Sequence, residues 1–388
     1  MEAECPHAGG PMQDAQVDIE DSAYIASCPW HAYDFNVETG ESSVGIKACT
    51  FPIEVQEEKV TLTYPEIGIS VTKLEPVSEK IKLKTPCSDP TPVEAAQAPT
   101  KAQYLDEDAT LCDWCTHILN TPNSEHKIEL TAHLFSIFTE REGTDSPMKI
   151  IGSTPASLPP TPPRDNLVEV RPGAMQKPGR GGTLKSRIAM LHALANIEQW
   201  AIDLAIDICV RFAEFQTNPV ASEAARNLPR TFFHDWLKVA NDEAKHFSLL
   251  RTRLEEMGSH FGALPVHHGL WESATKTAHD LRARISIIAL VHEARGLDVN
   301  PMTIAKFRNA RDTESVEALE VIHNDEITHV TTGHRWLTWI CQKEKTDPVE
   351  VFRCNVRKYF VGGLKEPFNR DARLMAGMDG RYYDDLVY

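Results

Sequence analysis

The feature that most constrains this chain is a six-residue word that occurs twice, as Asn241-Asp242-Glu243-Ala244-Lys245-His246 and Asn324-Asp325-Glu326-Ile327-Thr328-His329. Each ends in Glu-x-x-His. Residues three apart on a helix share a face, so each word offers a carboxylate and an imidazole to one point. The helical phase of the two words says where that point lies. Stepping back from Glu243 by three, four and seven residues reaches Ala240, Val239 and Trp236, and seven forward reaches Leu250. The same steps from Glu326 reach His323, Ile322, Leu319 and Gly333. Both carboxylates therefore sit largely on apolar stripes, where a bare charge is costly unless it is paired, neutralised or bound to metal.

Two further segments with helical periodicity each place one Glu on a similar stripe. Glu198 has Leu191, Leu194, Ala195, Ile202 and Ala205 at helical spacing, and Glu293 has Ala289, Leu290 and Leu297. The chain order is Glu, Glu-x-x-His, Glu, Glu-x-x-His, one element per helix. Glu198, Glu243, His246, Glu293, Glu326 and His329 together form the ligand set of a dinuclear carboxylate centre in a helix bundle. Oxygen and nitrogen donors suit iron, with manganese as the other candidate. Asp242 and Asp325 stand ready to accept the free N–H of a ligand His, or are ordinary surface Asp residues. His192, His323, Trp236, Phe247 and Trp336 read as core.

The helical segments span Leu184–Phe215, Arg230–Met257, Trp271–Arg295 and Thr313–Gln342. Their breakers are Asn218-Pro219 and Asn227-Leu228-Pro229, then Gly258 to Gly269, then Gly296 to Pro301. Four such helices are the raw material of a bundle over 184–345. Residues 346–388 add a helix from Pro348 and an irregular tail. Before the bundle, 105–150 is partly helical, around Thr110–Leu119 and Ser124–Arg141, and the Pro-dense stretch 151–183 is an extended strap. Residues 76–104 are Pro-, Lys- and Glu-rich and read as a linker. The first 75 residues alternate short runs, Ala23–Ala26, Tyr33–Val37 and Phe51–Val55, with turns such as Glu38-Thr39-Gly40-Glu41, and read as β structure. The fold class expected is multidomain α+β, a small β domain followed by a mainly α bundle.

Composition excludes some functions. A formal net charge of −16 over 388 residues disfavours a broad grip on nucleic acid, which requires positive charge. No apolar run is long enough to cross a bilayer. Nine cysteines, with no secretion signal at the start, point to a reducing compartment such as the cytoplasm. Of these, Cys112 and Cys115 lie in a helical context and read as structural.

Cys5-Pro6-His7 and Cys28-Pro29-Trp30-His31 supply two thiolates and two imidazoles. Tetrahedral zinc can use that set. The order Cys-x-His then Cys-x-x-His, with Pro after each Cys and the run Trp30-His31-Ala32-Tyr33-Asp34-Phe35 up to Thr39-Gly40-Glu41, resembles a Rieske domain. Such a domain normally has several strands before its first Cys and only four residues precede Cys5 here, so either the start is truncated or the domain is cut down. The resemblance implies a [2Fe–2S] cluster with Cys5 and Cys28 on one iron and His7 and His31 on the other.

From Thr110 to about Gly377 the chain resembles an uncharacterised family of ferritin-like proteins. The resemblance is carried by Leu111-Cys112-Asp113-Trp114, Leu191 to Glu198, Asn241 to Phe247, His292 to Val299 and Pro367-Phe368-Asn369-Arg370. It implies a ferritin-like bundle and a dinuclear iron site without a settled reaction. A reduced di-iron centre activates O2 and needs two external electrons per oxygenation, and a Rieske cluster carries one electron at a time. The expectation is a di-iron oxygenase or oxidase acting on O2 and a second substrate, with electrons passed from a separate reductase. Iron handling by a ferroxidase, and a metal-stabilised binding module, are the alternatives.

Overall fold

The computed structural model of the protein describes residues 1–20, 23–56, 59–63, 102–140, 150–171, 174–175, 178–218 and 224–386. The linker expected over 76–104 lies outside the described residues except for its last three. Two compact units emerge. One takes the described residues of 1–99, 176–191 and 302–316; the other takes those of 100–175, 192–301 and 317–388.

The first unit is built on an antiparallel sheet of β1 (Gln16–Glu20), β2 (Ala23–Ser27) and β3 (Asp34–Asn36), in that order. Val17 faces Ala26, which in turn faces Phe35. Ala26 and Phe35 are buried with Cys5, Met12, Ala15, Cys28 and Ala48, which together form a small core. The sequence reading omitted β1 although Gln16-Val17-Asp18-Ile19-Glu20 alternates polar and apolar residues; the run is short and none of its residues is fully buried, so the alternation is a weak signal. Strand β3 stops at Asn36, whose Oδ1 accepts from Glu38 N and Thr39 N at 2.8 and 2.9 Å. That side-chain turn competes with the sheet ladder. A separate hairpin pairs β4 (Ile53–Gln56) with β5 (Lys59–Leu62).

This unit extends beyond residue 75 because Asp34 is buried and needs partners. Its carboxylate accepts from Ser43 N at 3.2 Å, Ser43 Oγ at 2.7 Å and Gly182 N at 2.6 Å. Asn309 Nδ2 donates to Ser43 O at 2.8 Å, which fixes the 302–316 segment to the same loop.

The second unit is helical. Helix α1 (Leu111–Leu119) starts with a reciprocal cap between Thr110 and Asp113 and buries Cys112 and Cys115; burial pushes the Cys112 thiol up to about 12, which makes it inert. Helix α2 spans Ser124–Glu140, α3 Leu184–Arg211, α4 Arg230–Glu256, α8 Thr313–Glu344, α9 Pro348–Tyr359 and α10 Arg370–Met375. Among its described residues, the 151–183 stretch forms no α-helix, and it is bonded to the helices by Thr154 Oγ1 to Val210 O (2.8 Å) and Trp271 Nε1 to Pro160 O (2.7 Å). Among the described residues, no helix is long and apolar enough to cross a membrane.

The third bundle segment differs from the single helix expected over 271–295. It divides into α5 (Gly269–Thr275), α6 (Leu281–Arg284), a π-helical stretch Ile285–His292 and α7 (Glu293–Asn309). Asp280 opens α6 by accepting from Arg282 N. Residues Ile285 to Val291 are all buried, so no polar face gives a period to read. The break expected between Gly296 and Pro301 is also absent, since α7 runs through both. Pro301 cannot donate to the carbonyl four residues back, and that carbonyl, Leu297 O, accepts instead from Asn369 Nδ2 at 3.1 Å. A side chain from the end of the chain replaces the lost helical bond.

Candidate metal centre

Helices α3, α4, α7 and α8 each bring a predicted residue to one buried place. Glu198, Glu243, His246 and Glu326 offer donor atoms within 4.8 Å of one another, and so do Glu243, Glu293, Glu326 and His329. The two groups share Glu243 and Glu326. All six sequence-predicted residues are therefore gathered, and the arrangement is compatible with two ions bridged by the shared carboxylates. Glu243 and His246 are inaccessible to solvent, His329 is 1% exposed, and Glu198 and Glu326 are each 5% exposed. Glu293 is half-buried.

Glu243 takes the bridging position atom by atom. Its Oε1 lies 2.9 Å from His329 Nδ1 and its Oε2 lies 3.4 Å from His246 Nδ1. Neither contact has hydrogen-bond angles: both Glu243 oxygens, both Nδ1 atoms and Glu326 Oε2 are buried without a hydrogen-bond partner. Buried polar atoms are normally satisfied, and a cluster of unsatisfied ones facing a common point is what a metal site leaves when only the protein is considered. Four carboxylates also balance the charge of two divalent ions. The donor set fits a dinuclear centre ligated through Nδ1.

The electrostatics show the same need for positive charge. Burial and the neighbouring Glu243 drive the Glu198 carboxyl well above the ordinary carboxylate range. Burial, with Glu326 and Glu243 nearby, does the same to Glu293. Burial also opposes charge on Glu243, but His329 and His246 outweigh it and hold that carboxyl well below its usual range. Burial likewise disfavours a charged His246, yet Glu198 and Glu243 raise it to about 11. His329 is raised well above its ordinary value by Glu243 and Asp242 against the cost of burial. With only protein groups present, protons fill the role of cations.

The outer nitrogens of both imidazoles face the Asp of the neighbouring word, and one of them is hydrogen-bonded to it. His246 Nε2 bonds Asp325 Oδ2 at 3.1 Å, and His329 Nε2 stands 3.5 Å from Asp242 Oδ2. Each Asp precedes a Glu of the site on one helix and faces the His of the other, with a hydrogen bond formed at Asp325. Lys238 pairs with Asp242 and Lys245 with Asp325, so both carboxylates stay ionised. His192 is a satisfied core residue, since its Nε2 accepts from Gly262 N at 2.9 Å.

A narrow apolar cavity of about 10 Å³ reaches Glu293 and His329, room for about one water. Trp236, Val239, Ala205 and Ile288 line it, and Trp236 Nε1 is buried without a partner. Phe247 packs on Phe261, and Trp336 Nε1 donates to Asp235 at 3.0 Å; both belong to the core. Sequence reasoning missed Arg284, a 2% exposed wall residue. It is held by Asp207, by Thr277 Oγ1 at 3.2 Å and by Ala274 O at 3.0 Å, and it anchors the start of the π stretch that delivers Glu293. The inward Asp207, with Arg211 four residues on, was the available signal.

The N-terminal pairs are also brought together. Cys5 and Cys28 are 2% and 3% exposed; burial, and donation from the Cys5 thiol to the Cys28 sulfur, raise the Cys5 thiol. The His7 and His31 rings lie 5.0 Å apart, and His7 stacks on Tyr33 at 4.0 Å. The two loops share a form. Cys5 O accepts from Gly9 N at 2.8 Å and Cys28 O from Ala32 N at 2.9 Å, with positive φ at Gly9 and at Ala32.

Comparison with known proteins places the main part of the chain. The family described as "Protein of unknown function (DUF455)" matches residues 120–384. A curated protein of Haemophilus influenzae, described as an uncharacterized protein, is 38% identical over 189 residues, 49% of this chain. The match spans 64% of that relative's length. No solved structure matches.

Proposed function

The chain belongs to the DUF455 family of proteins of unknown function, and we propose that its centre holds two iron ions and reduces dioxygen. The observation that carries this reading is the sharing of Glu243 and Glu326 between two complete ligand groups. In this reading the four helices form a ferritin-like bundle. Glu198 and His246 would hold one ion and Glu293 and His329 the other, with Glu243 and Glu326 as donors common to both groups. When bound, such a pair of reduced ions supplies the binding and two-electron reduction of dioxygen. The protein's part is positional. Asp325 fixes the His246 ring so that Nδ1 faces the centre. The apolar walls from Val239 and Ile288 keep bulk water out, and the unpartnered Trp236 Nε1 is a donor for a small polar guest.

We further infer that the N-terminal pairs hold a Rieske-type [2Fe–2S] cluster, Cys5 and Cys28 on one iron and His7 and His31 on the other. A Cβ at Gly10 would stand 2.5 Å from Cys28 Sγ, so this glycine keeps space beside the thiol. Such a cluster passes one electron at a time, and its place on the same chain raises its effective concentration at the bundle. A separate reductase in a reducing compartment would supply the electrons. The overall class is an iron-dependent oxidoreductase, an oxygenase or oxidase.

A second reading, ferroxidase chemistry without an organic substrate, is favoured by the size of the cavity, about 10 Å³. Metal analysis with EPR of dithionite-reduced, full-length protein tests the proposal. About four irons per chain with a Rieske-type signal are expected. Zinc at the N-terminus, or no cluster, removes the relay; oxygen uptake driven only by added Fe(II) favours the ferroxidase reading.

A further inference from the structure

Away from the metal ligands, the second unit holds a second cavity, about 300 Å³, between the start of α7 and the chain that leads from α9 to α10. Its size is that of a small-molecule site. Two of the sequence words come together in it: the residues Arg295 and Asp298, which follow Glu293 of the proposed centre and are not used by it, and the word around Phe368.

The wall is built from paired charge and aromatic surface. Arg373, 2% exposed, forks onto Asp298, with Nε at 2.8 Å from Oδ1 and Nη2 at 2.7 Å from Oδ2. Its guanidinium lies 5.0 Å from the Phe368 ring and 4.8 Å from the Tyr383 ring. That bidentate pair fixes the orientation of Arg373 and leaves Nη1 buried without a hydrogen-bond partner. Arg295, whose Nη1 lies 3.6 Å from the same Asp298 Oδ2, ties the loop by donating to Lys365 O at 2.7 Å and Pro367 O at 3.2 Å. Lys365 itself is exposed at the rim. The turn between them passes through Gly362 and Gly363 with φ of +98° and +65°, a conformation open to glycine at little cost.

The charge of the wall is unusual for this chain. Arg295, Lys365 and Arg373 are the cations of the lining and Asp298 is its one carboxylate, paired with Arg373 and, at 3.6 Å, with Arg295. The remaining lining is largely apolar, including Phe360, Phe368 and Leu364. A net positive cavity with an apolar interior inside a protein of net charge −16 selects for a guest with the opposite charge and an apolar body.

We propose that this cavity binds a small organic anion, a carboxylate or phosphate monoester with an aromatic or aliphatic body, whose charged end meets Arg295, Lys365 and Arg373. The inference is independent of which metal the centre holds. Its test is calorimetric titration of the full-length protein with benzoate, phenyl phosphate, inorganic phosphate and benzyl alcohol. Benzoate or phenyl phosphate binds about ten-fold more tightly than benzyl alcohol, the difference expected for one charged hydrogen bond, and about ten-fold more tightly than inorganic phosphate, which lacks the apolar body; which of the two binds better tells carboxylate from phosphate. Arg295→Gln and Lys365→Met each weaken that binding several-fold. Arg295 also ties the loop, so the Lys365→Met variant, which removes only an exposed ammonium, carries the test if the first is unstable. Equal binding of benzyl alcohol, no binding of either aromatic anion, or unchanged affinity in folded Lys365→Met overturns the proposal.

Discussion

Asp325 Oδ2 lies 3.1 Å from His246 Nε2, and the bond runs from helix α8 to helix α4. The acidic residue of one word thus sets the tautomer of the imidazole in the other. With a proton on Nε2, the lone pair of His246 sits on Nδ1, which faces Glu198 Oε2 at 3.5 Å and Glu243 Oε2 at 3.4 Å.

Asp325→Asn keeps the shape but weakens this orientation. Iron affinity, measured by competition with a chelator, falls by about 10- to 100-fold, while the far-UV circular dichroism is unchanged. Wild-type affinity in this variant would show that Asp325 is a surface residue with an incidental contact.

The shared ligands separate two kinds of variant. Glu243→Ala removes an oxygen donor from both groups and abolishes dinuclear loading. Glu198→Ala leaves Glu243, Glu293, Glu326 and His329 in place, so the bundle retains about one ion per chain. Metal counted after gel filtration checks the pair, with the N-terminal metal subtracted by a Cys28→Ser control. Equal loss in both variants would contradict the bridging role of Glu243.

His192 makes the protein acid-sensitive. Its Nε2 accepts from Gly262 N at 2.9 Å and Leu264 N at 3.4 Å, bonds that a protonated ring cannot accept. Burial, with His260 nearby, lowers its pKa to about 4. A depressed folded-state value means that stability is complete above the unfolded value, about 6.5, and is lost as pH falls toward 4. Wild type should lose about 1–2 kcal/mol more than His192→Gln over that window, after allowance for solvent screening. Urea unfolding at pH 7.0, 5.5 and 4.5, run on both proteins without added metal, measures the difference; parallel losses would remove His192 as the cause.

Gly182 is required by the β unit. A Cβ there would collide with the Asp34 carboxylate, which takes the Gly182 N–H at 2.6 Å. Gly182→Ala should cost about 1–3 kcal/mol through the displaced buried carboxylate. Urea melts of the variant that match wild type would show that the loop adapts freely.

The six residues of the centre were legible because they are written on helices. Glu-x-x-His needs only the 3.6-residue period to share a face, and the apolar neighbours of Glu198, Glu243 and Glu326 show that the face points inward. The bounds of α3, α4 and α8 were readable for the same reason, with Pro229 and Asn218-Pro219 as punctuation. The segment before Glu293 was not. Its run from Ile285 to Val291 is buried all round, and a pattern without a polar side carries no phase. The N–H of Glu293 bonds Ile288 O, five residues back, a wider turn than the α period assumes. Nor does the local pattern show that α7 continues past Pro301, because the group that takes over the freed carbonyl, Asn369, is distant in sequence.

By itself, then, the chain determined which residue types face inward and in what order, since that follows from local periodicity and the cost of burying bare carboxylates. Tertiary structure alone decided which carboxylates are shared, which Asp serves which His, and where the basic cavity closes. Those relations depend on distances between helices, and residues such as Asp325 and His246 become neighbours only when α4 and α8 pack.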